Sequence, residues 1–453
     1  MRDQRGFGLM GGFLTSLEQM ATQLKERGLT WEDTNPVQPL PMRPKEGFHW
    51  RQFGLELFTQ LSIEQAYVIH TDFHWVVSEK GVPFNHYWRD YQQSLSSWIH
   101  SGWNDGDPNM YGYVGHPLQG LAVSYIWLQN DPKANKLEFS NTKAYWYSRL
   151  EATLWNAIFS LQWNNGPLSE MTVEKYGTKD RPPWNSDGTY PCNTKHCYTG
   201  VGQIDLVMTP LGGLGLLVGE DFLDKYVTRR VERDTSNRFL IDFVRCGLDP
   251  MRMGTNILHG ERPWYRASRD KQPSERFYGL KSFVYSFEAS KARLPHRGDL
   301  FLGYTHSGAA HCEAIYSSDT IACDPFSAET SNLNGWNVSA EKMYLRYFGI
   351  VADFSGQYGS VNQTTSLFGL RGGAWAGRFR PFGQIMIGAV HAREYGSAAI
   401  APETSFAEDL GVGIDFRLAG RFSWRTEADE LKTGTNDFER RSVRMSSGLA
   451  IQF

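Results

Sequence analysis

From about residue 299 to the C-terminal Phe453, apolar residues recur at every second position. Only an extended strand turns that period into a single face. The last segment is the clearest: Val443, Met445, Ser447, Leu449, Ile451 and Phe453 share one face, and Arg444, Ser446, Gly448, Ala450 and Gln452 share the other. An apolar face backed by a small-or-polar one fits a barrel in lipid, whose outside is apolar and whose lumen is polar. A soluble sandwich would turn its apolar face inward.

The same rule predicts strands near 299–308, 335–343, 347–358, 364–375, 380–391, 404–418, 421–430 and 441–453. The number is even, and a tilted strand needs roughly 9 to 11 residues to cross hydrocarbon. In the sixth, Phe406, Leu410, Val412, Ile414, Phe416 and Leu418 line one face; Ala407, Asp409, Gly411, Gly413, Asp415 and Arg417 line the other. The fifth, RPFGQIMIGAVH, fits the rule badly. Glu341, Asp353, Arg371, Asp409, Asp415, Arg425, Glu427 and Arg444 fall on inner faces. Charges of both signs in so narrow a lumen are expected to pair and fill it as a core, not to line a transport path. An aromatic content of 14%, 45 glycines and a mean hydropathy of only -0.45 suit such a barrel better than a helical membrane protein.

At 453 residues the chain exceeds the size at which one core keeps growing. From about 50 to 245 the apolar positions take helical spacing, as in Phe53, Leu57, Leu61 and Val68, and in Tyr145, Leu150, Leu154, Ile158 and Leu161. The expected fold class is therefore α+β and multi-domain, an N-terminal mainly helical domain followed by an antiparallel eight-stranded transmembrane β-barrel. The expected divisions are an N-terminal segment 1–45, a helical envelope domain 46–250, a linker 251–298 and the barrel 299–453. No window reaches ~18 uninterrupted apolar residues, so no transmembrane helix is expected. The best runs, 111–128 and 204–219, are broken by His116, Pro117 and Gln119, and by Asp205 and Pro210.

A net charge of -3 gives no footprint for nucleic acid. Cys192 with Cys197, and Cys312 with Cys323, read as two loop disulfides, which places the chain in an oxidising compartment, the periplasm or cell surface. Zinc at Cys192, His196 and Cys197 is the rival reading, and it lacks a matching second half-site. Cys246 is left over as a buried thiol. Arg2 and Arg5 precede GFGLMGGFL, a short, glycine-broken run without a small-residue cleavage site, so segment 1–45 reads at most as the remnant of an export signal.

Through GDLFLGYTHSG, YFGIVADFSGQYG, SFAEDLGVGIDFRL and MSSGLAIQF, the C-terminal third resembles the small OmpA-like outer-membrane barrels. The resemblance implies a bacterial outer-membrane location, contact with outer-membrane lipid, and a terminal Phe453 read by the barrel-assembly machinery. Through WNDGDPNMYGYVGHPLQG, GPLSE, QIDLVMTPLGGLGLLVGED and PWYRASR, the N-terminal half is similar to an uncharacterised family of bacterial envelope proteins, and no activity follows from that similarity.

Within the helical half, YVGHPLQG puts His116 and Pro117 at the opening of a helix, where a histidine serves as a base, a ligand or a packing group. In GPLSE, Ser169 is placed to cap and Glu170 follows it. In QIDLVMTPLGGLGLLVGED, Gly212, Gly215 and Gly219 make one glycine face open to another helix, while Asp205 and Glu220 stand about 22 Å apart along it. His116 with Asp205 or Glu170, amid Trp103, Trp127, Trp155 and Trp163, is the candidate catalytic group, suited to acid/base hydrolysis of a lipid or glycan ester. Helix-helix locks are the competing reading of the same residues, and no G-x-S-x-G, H-E-x-x-H, Walker or dinucleotide motif supports catalysis. His70 and His74 have metal-ligand spacing but no third ligand nearby, so no metal and no cofactor is expected.

The function expected is that of an outer-membrane-anchored envelope protein of structural or interaction type, its helical domain in the periplasm against peptidoglycan or another envelope protein. The alternatives are a lipid- or peptidoglycan-modifying hydrolase and a small-solute pore.

Overall fold

The computed structural model describes residues 47–73, 76, 86–99, 102–103, 110–179, 181–185, 192, 197–269, 298–309, 331–359, 361–394, 403–435 and 438–453. Segment 1–45, His74, His196 and the Cys312–Cys323 pair lie outside these residues.

The alternating segments form β1 (Gly298–Ala309), β2 (Ser331–Met343), β3 (Phe348–Tyr358), β4 (Val361–Gly373), β5 (Phe379–Glu394), β6 (Glu403–Ala419), β7 (Phe422–Thr435) and β8 (Phe438–Gln452). Each runs antiparallel to the next, and β8 pairs back onto β1, closing the barrel. The backbones of Gly298 and Phe453 bond to each other in both directions, at 3.2 and 3.0 Å. That end also carries the β2–β3, β4–β5 and β6–β7 turns.

The alternation sorts the side chains as expected. Leu302, Ile350, Phe354, Phe368, Val412 and Met445 are exposed outside. Inside, four arginines interlock with seven carboxylates. Arg444 reaches Asp353 at 2.9 Å, Asp409 at 3.0 Å and Asp429 at 3.2 Å. Arg425 holds Asp415 at 2.7 Å and Asp299 at 3.0 Å. Arg380 holds Glu341 at 2.7 Å, and Arg371 holds Gln384 at 2.8 Å and Glu427 at 3.5 Å. None of these charged groups is more than 5% exposed. Beside this network Val351, Leu367, Met386, Val390, Ala407 and Leu431 form an apolar cluster. That cluster explains the misfit of β5, whose inward Met386 and Val390 meet apolar partners where a polar lumen was expected.

The helical region contains α1 (Trp50–Thr71), α2 (Tyr87–Ile99), α3 (His116–Asn130), α4 (Lys143–Asn165), α5 (Gln203–Asp234), α6 (Arg238–Leu248) and α7 (Pro250–Leu258). At the centre, α3 buries Pro117, Gly120 and every residue from Leu121 to Asn130 against α1, α4, α5 and α7. Gly120 and Gly213 set the closest approach. A Cβ on Gly120 would stand 2.0 Å from the Thr209 carbonyl oxygen, and one on Gly213 would stand 2.9 Å from Gly120. The glycine face read from sequence is thus only partly right. Gly212 abuts Pro117, whereas Gly215 and Gly219 have nothing within 4 Å. Helix α5 also differs from expectation, being one helix long and apolar enough to cross a membrane by length and composition. Its turns run on through Asp205 and Pro210, which break the apolar run without ending the helix.

The Arg-rich tract after residue 250, expected to be a linker, opens with α7. It then pins Arg266 to Asp224 at 3.0 Å and Arg269 to Glu232 and Asp224, both at 2.9 Å. Cys192 and Cys197 are joined as a disulfide, and Cys246 is a free thiol, only partly buried.

Helices and barrel belong to one compact unit. Thr59 of α1 meets the Tyr344 hydroxyl at 2.9 Å, and Arg346 donates to the Gly260 carbonyl at 2.8 Å, both on the β2–β3 turn. From there α1 follows the barrel's outer wall. Val68, Ile69 and Phe73 pack on Phe406, with Ile387 alongside. Glu408 and Lys432 are directly opposed on β6 and β7. Both point outward, yet they are only 1% and 2% exposed, because the end of α1 covers them. Lys432 donates to the His70 carbonyl at 2.8 Å, closing the helix C-terminus, and Glu408 lies 3.4 Å from the His70 ring.

Candidate functional site

His116 opens α3 directly after a π-helical turn, Tyr111–Gly115, and a second such turn, Met208–Gly212, lies inside α5. A third, Asp224–Thr228, holds no proline, but the first two are accompanied by Pro117 and Pro210. Neither proline has an N–H to give to the ladder, which the wider turn accommodates. The two widened turns face one another and bring three polar side chains together. His116 Nε2 lies 3.1 Å from Asp205 Oδ1, and His116 Nδ1 lies 3.2 Å from Thr209 Oγ1. Asp205 Oδ2 accepts the Gly202 N–H at 3.0 Å, which fixes the carboxylate at the start of α5. Behind them Asn156 donates to the Thr209 carbonyl at 3.0 Å, and Ser160 to the Asp205 carbonyl at 3.4 Å.

The hydrogen-bond pattern settles where the protons sit. Thr209 donates its one hydroxyl proton to the Asp205 carbonyl at 2.6 Å, so toward His116 its oxygen accepts, and Nδ1 carries a hydrogen. Nε2 then faces Asp205 Oδ1. Burial pulls the imidazole down to about 4, against a weaker upward pull from Gln119.

Glu170 goes elsewhere. It follows Ser169, whose hydroxyl caps the Thr172 N–H at 3.3 Å, and its carboxylate accepts the Trp163 indole N–H at 2.8 Å. Trp127 and Trp155 stack at 5.4 Å and meet Phe53, which places Trp127 about 16 Å along α3 from His116. Trp103 contributes its carbonyl to the Ile204 N–H at 3.2 Å. The expected pairing of His116 with Asp205 is formed, while Thr209, Asn156 and Ser160 were not foreseen. The two prolines were the available signal.

A second polar cluster, larger and also unforeseen, lies at the other end of α4 and α5. Asp221 accepts from Arg149 at 2.9 Å, from Arg252 at 2.7 Å and from Tyr145 at 3.0 Å. Arg149, Asp221 and Arg252, with Tyr125, Asp224 and Arg266, line a cavity of about 20 Å³, room for one water. The PWYRASR motif supplies its Arg266 and the neighbouring Arg269. A third pairing, His259 with Glu56 at 2.8 Å, sits where α7 meets α1, and Asn130 donates to the same carboxylate at 2.7 Å. Among the described residues no group of three or more His, Cys, Asp or Glu is placed to hold a metal ion.

Among solved structures the chain is similar to Neisserial surface protein A, at 12% identity and a TM-score of 0.28 over 34% of this chain and 97% of that one. It is also similar to the N-terminal β-barrel domain of Pseudomonas aeruginosa OprF, at 9% identity and a TM-score of 0.27 over 35% and 98%. A third is the attachment invasion locus protein Ail of Yersinia pestis, at 10% identity and a TM-score of 0.24 over 34% and 99%. No protein-family model matches the chain, and no curated protein matches it.

Proposed function

We propose that this chain is an outer-membrane-anchored envelope protein of structural or interaction type, a plugged eight-stranded barrel carrying a helical layer. The polarity of the barrel wall carries the reading. Large apolar side chains face outward all round a closed sheet, and paired charges fill the inside, an arrangement that lipid stabilises and water does not. The short-turn end, which faces the periplasm in such barrels, holds Gly298, Phe453 and the β2–β3 turn that α1 grips. On this reading the partners are outer-membrane lipid, the barrel-assembly machinery acting through Phe453, and peptidoglycan or another envelope protein on the helical side. The interlocked lumen disfavours a pore.

Outer-membrane fractionation and heat-modifiable migration on gels test the anchor; a chain recovered wholly in the soluble fraction would refute it. In planar bilayers no stable conductance is expected, and a steady large conductance would restore the pore.

The His116–Asp205 pair favours a second reading, hydrolysis of an envelope lipid or glycan ester. Asp205→Asn keeps both contacts of residue 205 but removes its ionisable carboxyl group. As a catalyst the pair would lose turnover of phospholipid vesicles or isolated peptidoglycan in this variant with the fold intact; absence of turnover in the unaltered chain would end the reading.

A further inference from the structure

Helices α4 and α5 are built inside out. The buried face of α4 carries polar Ser148, Arg149, Asn156, Ser160 and Asn164, each at most 5% exposed, among Tyr145, Ala152, Phe159 and Trp163. Those turned outward are Tyr147, Leu150, Leu154, Ile158 and Leu161, between 49% and 68% exposed. Helix α5 repeats the pattern, with Asp205, Thr209, Asp221, Asp224 and Thr228 buried and Leu211, Leu216, Phe222 and Tyr226 exposed. Every residue of α5 exposed between Leu211 and Val227 is apolar, glycine or tyrosine. A helix at a water-facing surface shows the opposite arrangement.

The two helices lie antiparallel. Arg149 meets Asp221 at one end, and Asn156 and Ser160 meet the Thr209 and Asp205 carbonyls at the other. Their outward stripes therefore form one surface. Trp146 to Leu161 spans about 22 Å and Leu211 to Val227 about 24 Å, against about 25 Å for the apolar band of an outer-membrane barrel. The bundle also stands beside the barrel wall, since Phe159 and Trp163 of α4 share one cluster with Val68, Ile69 and Phe406.

We infer that the outward faces of α4 and α5 lie in the hydrocarbon of the membrane that holds the barrel, making the helical layer a lipid-embedded flank of the barrel wall. The inference rests on the outer-membrane reading above. Acyl chains cover the stripes, and the buried polar clusters satisfy one another where no water reaches. The β2–β3 turn and the paired ends of α1 and α7 stay at the membrane edge.

The full chain, reconstituted in phosphatidylethanolamine–phosphatidylglycerol vesicles, tests this with two carbene-generating diazirines mapped by peptide mass spectrometry. One is carried on a phospholipid acyl chain and the other is water-soluble. The lipid-borne carbene is expected to label 146–161 and 211–227 as strongly as the outer face of β6, and several-fold above 233–237. The water-soluble probe should give the reverse. Lipid label in β6 but not in the helices overturns the inference and leaves the barrel reading standing, whether the helices take the aqueous label or, being covered by protein, neither. Lipid label absent from β6 as well overturns both.

Discussion

His116 and Asp205 meet in a pocket closed by Thr209, and the two oxygens of the Asp205 side chain have separate duties: one meets the ring and the other caps Gly202. Asparagine at 205 keeps both, with its amide donating to Nε2 and its oxygen accepting the Gly202 N–H, and is expected to cost about 1 kcal/mol or less. Leucine keeps neither and strands a buried ring nitrogen, so Asp205→Leu should cost about 2–3 kcal/mol. Urea unfolding followed by the fluorescence of the helical-region tryptophans would separate the two; equal losses would show that residue 205 acts through volume alone. This pairing was legible because His116, Pro117, Asp205 and Pro210 stand out in apolar runs. Thr209 and Asn156 were not, since a threonine or asparagine inside a helix carries no mark of what lies across from it. Glu170, the other carboxylate considered for His116, is engaged elsewhere. A glutamate just after a capping serine announces a helix start, and here its carboxylate is spent on Trp163.

Among elements, the contact of α3 with α5 depends on two glycines. Gly120→Val would drive its side chain into the Thr209 carbonyl, 2.0 Å from where a Cβ would stand, and into Asn156. The expected result is separation of α3 from α5, a loss of about 3 kcal/mol or more, and new trypsin cleavage at Arg149 and Arg252, while the barrel keeps its heat-modifiable shift because its ladder involves no helix. Loss of that shift would mean that barrel and bundle fold as one cooperative unit. Strand positions were readable to within a few residues because period two is a local property. The glycine face was assigned wrongly because spacing shows which residues align but not which side the neighbour takes. Helix α5 was passed over as a membrane-length helix because Asp205 and Pro210 interrupt its apolar run, and spacing does not show that Asp205 turns inward. The cover over β6 had left one trace, Glu408, a charge among Phe406, Leu410, Val412 and Ile414 on the outward face.

For the molecule as a whole, the lumen is held by few cations. Arg444 alone faces Asp353, Asp409 and Asp429, so Arg444→Met leaves three carboxylates crowded together without their guanidinium. The expected loss is about 3–5 kcal/mol, read as a lower temperature for the heat-modifiable transition, with partial recovery when Asp409→Asn and Asp429→Asn are added. An unchanged transition would show that those acids are neutralised in some other way. The outward-facing Glu408 and Lys432 bear on how the protein is made. A barrel entering the bilayer by itself would present this pair to acyl chains, and only the end of α1 shields them. The strands that carry them are the sixth and seventh of eight, whereas α1 precedes all eight in the chain. The pair and its shield must therefore enter the membrane together, so α1 has to lie against β6 and β7 by the time those strands meet acyl chains.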